Sequence, residues 1–370
     1  MSEISEEERL EMVSSFEKLL SNHSNEADVR RTMVSDSGYD EALWSKLAEL
    51  GILGLIVPPE NGGIGGGPLE VEAMMEIVGE RLMCGPFLVS SIFAAKLLSS
   101  CSDDVLRKST LSSICDGSKI FSVACTGDAG RWDLKDIEVS ASQYASGWTL
   151  NGSASFVLHA GSADCFLVIA DDAGMASAFL IEANAKGLTL ESLPVNDPTL
   201  RLGRLSFADV NATKLTGLSE QDIQNAMNFS LVALAGEQAG GTKRIFDITV
   251  DYLKSRYQFG RQIGGFQAVK HMAADLLIDV ESSVSAAREA ARAAASNAVE
   301  APQLLHLAAF ACADAFRDVS AEAIQLHGGI AYTQEHIAHL YWRRARTNLW
   351  LFGSSDFHRE KYLKALESVS

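Results

Sequence analysis

The chain has 370 residues, of which 47% are hydrophobic and 21% charged, and a formal net charge of −17. That apolar share is ample for a large core spread over two or three sub-domains, and the charge is too sparse for a disordered chain. Such an acidic surface argues against nucleic acid and anionic membranes as partners, while a local basic patch can still hold an anionic small molecule.

The opening MSEISEEERLEM is acidic and amphipathic, without the basic start and apolar run of a signal peptide. The helical pattern runs from residue 5 to about 118. In EALWSKLAEL, Leu43, Leu47 and Leu50 recur at helical spacing and share a face. The glycine-rich PPENGGIGGGP, residues 58–68, ends that helix. It lacks the Lys-Ser/Thr of a phosphate loop and no strand precedes it, so it reads as a linker, and LEVEAMMEIVGERL resumes the helical period.

At about residue 119 the texture changes. KIFSVACTG, DIEVSASQY, GWTLNGSASFVLH, DCFLVIAD, SAFLIEA, GLTLESL and LGRLSFADV are short β-branched and aromatic segments bounded by Gly, Asp and Asn, as in a barrel or sandwich. From about 219 the pattern is helical again, with the alanine-rich ESSVSAAREAARAAASNAVEAP stopped at Pro302. The expected fold is therefore α+β and multi-domain: an N-terminal helical domain (1–118), a central β-domain (119–217) and a C-terminal helical bundle (218–370). No segment reaches the ~18 apolar residues of a membrane span. The six cysteines (Cys84, Cys101, Cys115, Cys125, Cys165, Cys312) have no metal-like spacing and read as reduced thiols. A cytoplasmic location and no bound metal are the expectations.

Three stretches carry a resemblance: TVDYLKSRYQFGRQIGGFQAVKHMAADL (249–276), AIQLHGGIAYTQEHIAHLYWRRAR (323–346) and GWTLNGSASFVLHAGSAD (147–164). Together with the helix–β–helix order they resemble the acyl-CoA dehydrogenase family. LWSKLAELGILGL, ENGGIGGGPLE, RWDLKDIEVSA and IQLHGGIAYTQEH look like the small subunits of bacterial two-subunit enzymes, such as pimeloyl-CoA dehydrogenase small subunits. The resemblance implies an FAD-dependent oxidoreductase of the EC 1.3 class acting on an acyl-CoA substrate. An electron-transferring flavoprotein would be its acceptor, and its assembly a homotetramer or an α2β2 complex with a large subunit. The acyl group would be dicarboxylic, steroid-derived or otherwise bulky.

The resemblance also assigns residues. Arg256, Gln258 and Phe259 of RYQFG reach the FAD of a neighbouring subunit, the guanidinium fork suiting pyrophosphate. Gln325, Gly328 and Gly329 let a backbone approach a phosphate, although the glycines also serve as a helix cap. Ala124, Cys125, Val157 and Leu158 lie at the flavin ring edge, where many relatives have Thr in place of Leu158. Trp132, Ser230, Phe352 and Gly353 fall at the acyl pocket. His327 is expected to pack rather than catalyse.

The chemistry removes an α-proton and needs a carboxylate beside the thioester. The family's two glutamate positions fall on Phe352 and Ser230, and neither side chain is a base. Glu237, two helical turns after Ser230, is the remaining candidate. Its small neighbours Ala235, Gly236, Ala239, Gly240 and Gly241 suit close approach of a ligand, and an apolar setting would raise its pKa. Three readings stand: a dehydrogenase subunit with Glu237 as base; a non-catalytic partner completing the FAD site of a glutamate-bearing large subunit; or an oxidase or elimination enzyme on the same fold.

Overall fold

The computed structural model describes residues 4–144 and 147–367. The N-terminal layer contains α1 (Glu6–His23), α2 (Glu26–Thr32), α3 (Glu41–Glu49), α4 (Pro68–Glu80), a π-helical turn (Phe87–Ala94), α5 (Ala95–Ser99) and α6 (Asp104–Cys115). Seven strands follow: β1 (Phe121–Ala124), β2 (Val139–Tyr144), β3 (Gly147–Leu158), β4 (Cys165–Asp172), β5 (Met175–Glu182), β6 (Leu188–Ser192) and β7 (Leu202–Lys214). The C-terminal layer is α7 (Glu220–Ser255), a hairpin of β8 (Tyr257–Gln258) and β9 (Arg261–Gln262), α8 (Gln267–Ser296), α9 (Ala301–His327), α10 (Ala338–Asn348) and α11 (Ser355–Glu367). Each β-branched segment of the sequence is a strand, and both helical regions are helical.

The strands run in the order β1-β4-β2-β3-β7-β5; a β4–β5 pairing closes the sheet into a small barrel, and β6 lies outside on β7. Alternate side chains, among them Leu150, Ala154, Phe166, Val168, Phe179, Leu205 and Val210, fill its interior. A second, larger cluster joins the N-terminal helices, the outer face of β1 and the first half of α7. Phe352 and Trp132 belong to this larger cluster.

Two boundaries differ from the sequence reading. α8 stops at Ser296 because Asn297 takes the left-handed cap conformation (φ +50°), and Pro302 lies in the first turn of α9, where a missing N–H is tolerated. The alanine-rich face of α8 and α9 is covered inside the chain: Ala287, Ala290, Ala308 and Cys312 pack on Ala235 and Ala239 of α7. It is therefore not a free face for assembly.

α4 and α7 meet backbone to backbone. A Cβ on Gly240 would stand 1.8 Å from the Glu76 carbonyl oxygen, one on Gly79 1.9 Å from that of Glu237, and one on Gly236 2.6 Å from that of Glu72. Gly241 receives the Phe316 ring. The small residues around Glu237 thus admit a helix and an aromatic ring, which corrects the expectation that they admit a ligand. Among the described residues no helix is long and apolar enough to cross a membrane.

Candidate active site

Glu237 leaves α7 into a buried polar network. Its Oε1 accepts from Nη1 of Arg344 (2.7 Å) and from Nδ2 of Asn348 (3.0 Å), both on α10. Arg344, 1% exposed, donates through Nε to Asp197 Oδ2 (3.0 Å) and Thr199 Oγ1 (2.9 Å), and through Nη2 to the carbonyls of Thr199 (3.1 Å) and Met83 (3.3 Å). One guanidinium therefore ties together α7, α10, the segment between β6 and β7, and the turn after α4. Burial pushes Asp197 above the usual carboxylate range, while Arg344 and Thr199 pull it back. Burial would lower Arg344, but Asp197 and Glu237 carry it upward. The apolar setting expected for Glu237 is corrected: the carboxylate faces a buried cation.

Arg344, Asp197, Thr199 and Asn348 were not singled out by motif. A signal did exist for Arg344. In α10 the buried residues Leu340, Tyr341, Arg344, Ala345 and Asn348 form one stripe, so this arginine sits in phase with the apolar positions.

The acyl-pocket residues do not all converge. A cavity of about 220 Å³ is walled by Gln224, Met227, Asn228 and Leu231 of α7, by His306, Phe357, His358 and Lys361 of α9 and α11, and by Trp132 and Phe352. Gly353 lines a smaller space beside it. Ser230 is fully buried and returns its hydroxyl to the Ala226 carbonyl (2.9 Å), so it gives the cavity nothing. Glu237 is not among the wall residues; it lies six residues beyond Leu231, about 9 Å along the helix axis. His306 and His358 face each other through Nδ1 (3.1 Å), and burial lowers them to about 4 and about 3, so both are neutral near pH 7.

At the place the family gives its base, Phe352 is 2% exposed and packs its ring 4.9 Å from Trp132 and 5.4 Å from Phe93. The ring-edge residues are buried, Ala124 (0% exposed) and Val157 (1%) in the barrel interior and Cys125 (6%) and Leu158 (5%) in the larger cluster. Cys125, Leu158, Trp132 and Phe352 all belong to one apolar cluster.

The other predicted cofactor residues behave in the opposite way. Arg256, Gln258, Phe259, Gln325 and Gly329 are exposed and Gly328 is half-exposed. The β8–β9 hairpin turns through Phe259 (φ +54°) and Gly260 (φ +81°), a two-residue loop with both φ positive. It holds the Phe259 ring 88% exposed. Gly328 has φ +66°, and a Cβ on Gly328 or Gly329 would meet nothing within 4 Å. The conformation requires glycine at 328, and the space in front of both is open. Tyr252, near the end of α7, stacks on His327 (4.6 Å), bringing hairpin and glycine turn into one neighbourhood. His327 donates through Nδ1–H to the Ala323 carbonyl (2.8 Å) and is buried against Tyr252.

Family models match both helical regions: "Acyl-CoA dehydrogenase, N-terminal domain" over residues 6–118 and "Acyl-CoA dehydrogenase, C-terminal domain" over 221–367. The chain belongs to the acyl-CoA dehydrogenase family. It is 31% identical to acyl-CoA dehydrogenase IpdE2 of Mycobacterium tuberculosis over 98% of this chain and 97% of that protein. Among solved structures it resembles a chain of the Tcur3481–Tcur3483 steroid acyl-CoA dehydrogenase (TM-score 0.90, 26% identity, 98% of each chain). It also resembles a chain of the ChsE4–ChsE5 complex from Mycobacterium tuberculosis (TM-score 0.89, 26% identity, 99% of each chain). The fold and the small-subunit likeness read from the sequence agree with these matches.

FAD is the cofactor of this family. The residues of this chain fit one half of it. The open glycine turn and the exposed Arg256 suit a phosphate brought by a neighbouring molecule, whereas at the ring edge the side chains pack within this chain, Ala124 and Val157 into the barrel and Cys125 and Leu158 into the cluster that holds Phe352 and Trp132.

Proposed function

We propose that this chain serves the α,β-dehydrogenation of an acyl-CoA thioester as the partner subunit of an α2β2 enzyme, completing the FAD site of a glutamate-bearing large subunit. The observation that carries the reading is the aromatic packing at the base position: Phe352, 2% exposed between Phe93 and Trp132, stands where a proton acceptor and thioester would have to meet. The buried Arg344–Glu237 pair supports it, because the carboxylate is held at 2.7 Å by a guanidinium and at 3.0 Å by an amide and does not line the cavity. FAD, when bound, supplies the two-electron acceptor of the reaction. This chain's part is to orient: Arg256 offers paired donors to phosphate oxygens, Gly328 and Gly329 allow close backbone approach, and Phe259 offers a ring face. A left-handed backbone at a phenylalanine is a strained arrangement of the kind found at functional sites.

A bulky acyl-CoA, as the steroid enzyme among the relatives suggests, is the substrate class, and an electron-transferring flavoprotein is the acceptor. The test is co-expression with the large subunit and measurement of flavin per heterodimer. One FAD per pair is expected, lost on Arg256→Ala, because a charge-assisted hydrogen bond contributes about 1.5–3 kcal/mol. A chain that carries stoichiometric FAD by itself and bleaches it with acyl-CoA overturns the reading. In that case Glu237 is again the leading base.

A further inference from the structure

A cavity of about 430 Å³ lies where the N-terminal layer meets the C-terminal bundle. The turn between α1 and α2, the end of α4 (Arg81), α7 (Arg244, Ile248), α10 (Tyr341) and the segment 335–337 wall it. Neither the hairpin after α7 nor the glycine pair lines it. With 48 acidic residues to 31 basic ones, an arginine in this chain readily finds a carboxylate. Arg81 and Arg244 do not, and among the described residues neither forms an ion pair. The acids on the same wall are already engaged: Glu26 pairs with Arg30 (2.7 Å), Glu80 pairs with Lys243 (2.9 Å), and Glu335 bonds to its own backbone and to Thr333. Tyr341, 2% exposed, donates its hydroxyl to the Glu80 carbonyl (2.6 Å). Arg244 is a hydrogen-bond partner of that same hydroxyl and Arg81 a nearby charge, so the two guanidinium groups share one neighbourhood. Nδ1 of His336 accepts from the Ala338 N–H (3.2 Å), which puts the ring proton on Nε2 as a further donor. Two forks of N–H donors from different layers suit an anion with several oxygens. The volume is that of a small-molecule pocket, about 300–1,000 Å³, and exceeds what a bare ion fills.

We propose that this cavity binds a small molecule bearing a multiply charged oxyanion, a phosphate ester or a polycarboxylate, with Arg81 and Arg244 as its principal contacts. Arg81 ends α4 and Arg244 lies on α7, so the bound anion joins the N-terminal layer to the C-terminal bundle and stabilises the native chain. The site requires neither FAD nor a large subunit.

The experiment is titration calorimetry and thermal unfolding of the full chain with sodium phosphate, pyrophosphate and citrate in turn, each against sodium chloride of equal ionic strength. It is repeated on Arg81→Gln, Arg244→Gln and, as a control, Arg256→Ala, each checked for fold by circular dichroism. Saturable binding of one or more of the three polyanions is expected, with a rise in Tm that chloride does not give. Arg81→Gln and Arg244→Gln should each weaken it about tenfold or more, the scale of one charge-assisted hydrogen bond, while Arg256→Ala leaves it unchanged. Arg81→Lys and Arg244→Lys, which keep the charge and lose the fork, should retain part of the affinity. Preference for phosphate and pyrophosphate marks the ligand as a phosphate ester, and preference for citrate marks it as a polycarboxylate. Binding of none of the three, stabilisation no greater than that by chloride, or native affinity in both glutamine variants overturns the proposal. If Arg256→Ala alone abolishes binding, the anion sits at the cofactor's phosphate motif; the cavity assignment then falls and the partner-subunit reading stands.

Discussion

Replacing Glu237 by glutamine separates the two roles open to that residue. Glutamine keeps the shape and an acceptor oxygen, so Arg344 and Asn348 retain their hydrogen bonds, at 2.7 and 3.0 Å in the native chain, but the contact with Arg344 loses its charge. Arg344 still has Asp197 at 3.0 Å, so the guanidinium is not stranded. The loss is the difference between a charge-assisted and a neutral hydrogen bond in a site 1–4% exposed, about 1–2 kcal/mol. Glu237→Ala removes the acceptor altogether and should cost about 3–5 kcal/mol, the scale of breaking a buried pair. The assays are thermal unfolding of the assembled enzyme and single-turnover flavin reduction by acyl-CoA. Glu237→Gln should lower Tm by a few degrees and leave flavin content and reduction rate at native values. A reduction rate lower by ~10²-fold or more with Tm unchanged would refute the reasoning and make Glu237 the base.

Three further outcomes follow from the packing. Phe352→Glu sets a carboxylate among Phe93 and Trp132; it should destabilise the chain by several kcal/mol, seen in urea unfolding, and confer no dehydrogenation on the chain purified alone. Gly240→Ala drives a methyl to 1.8 Å from the Glu76 carbonyl, so α4 and α7 must separate; a loss of about 1–3 kcal/mol or more is expected in denaturant titration. Glu72, 5% exposed, is raised to about 7, chiefly by burial and then by Glu76. Its unfolded pKa is lower, so the native state holds the proton between about pH 4.5 and 7. Stability from this group therefore falls as pH rises through that window, by at most about 3 kcal/mol, and is level above it. Glu72→Gln should flatten that slope and raise Tm at pH 8; a variant with the native pH profile counts against the assignment.

The sequence by itself determined the order of helices, barrel strands and helices, because β-branched alternation and the 3.6-residue period are local signals written in each segment. It also drew attention to RYQFG and the glycine pair of QLHGG, since arginine, phenylalanine and paired glycines at a helix end are visible in a short string; Arg256, Phe259 and Gly329 are exposed. Tertiary structure alone decided the meaning of Glu237. Its partners Arg344 and Asn348 lie 107 and 111 residues away in the chain, and periodicity cannot pair an acid on one helix with a cation on another. The glycines beside it read equally well as room for a ligand or for a helix; only the approach of α4 chose the helix. The alanine-rich stripe of α8 and α9 could pack closely on any helix, and the fold placed it on α7. In the same way Phe352 shows in the sequence as a missing base, but its place as a packed ring between Phe93 and Trp132 depends on side chains brought together from three distant segments. Burial is a property of that assembly, which no single segment carries.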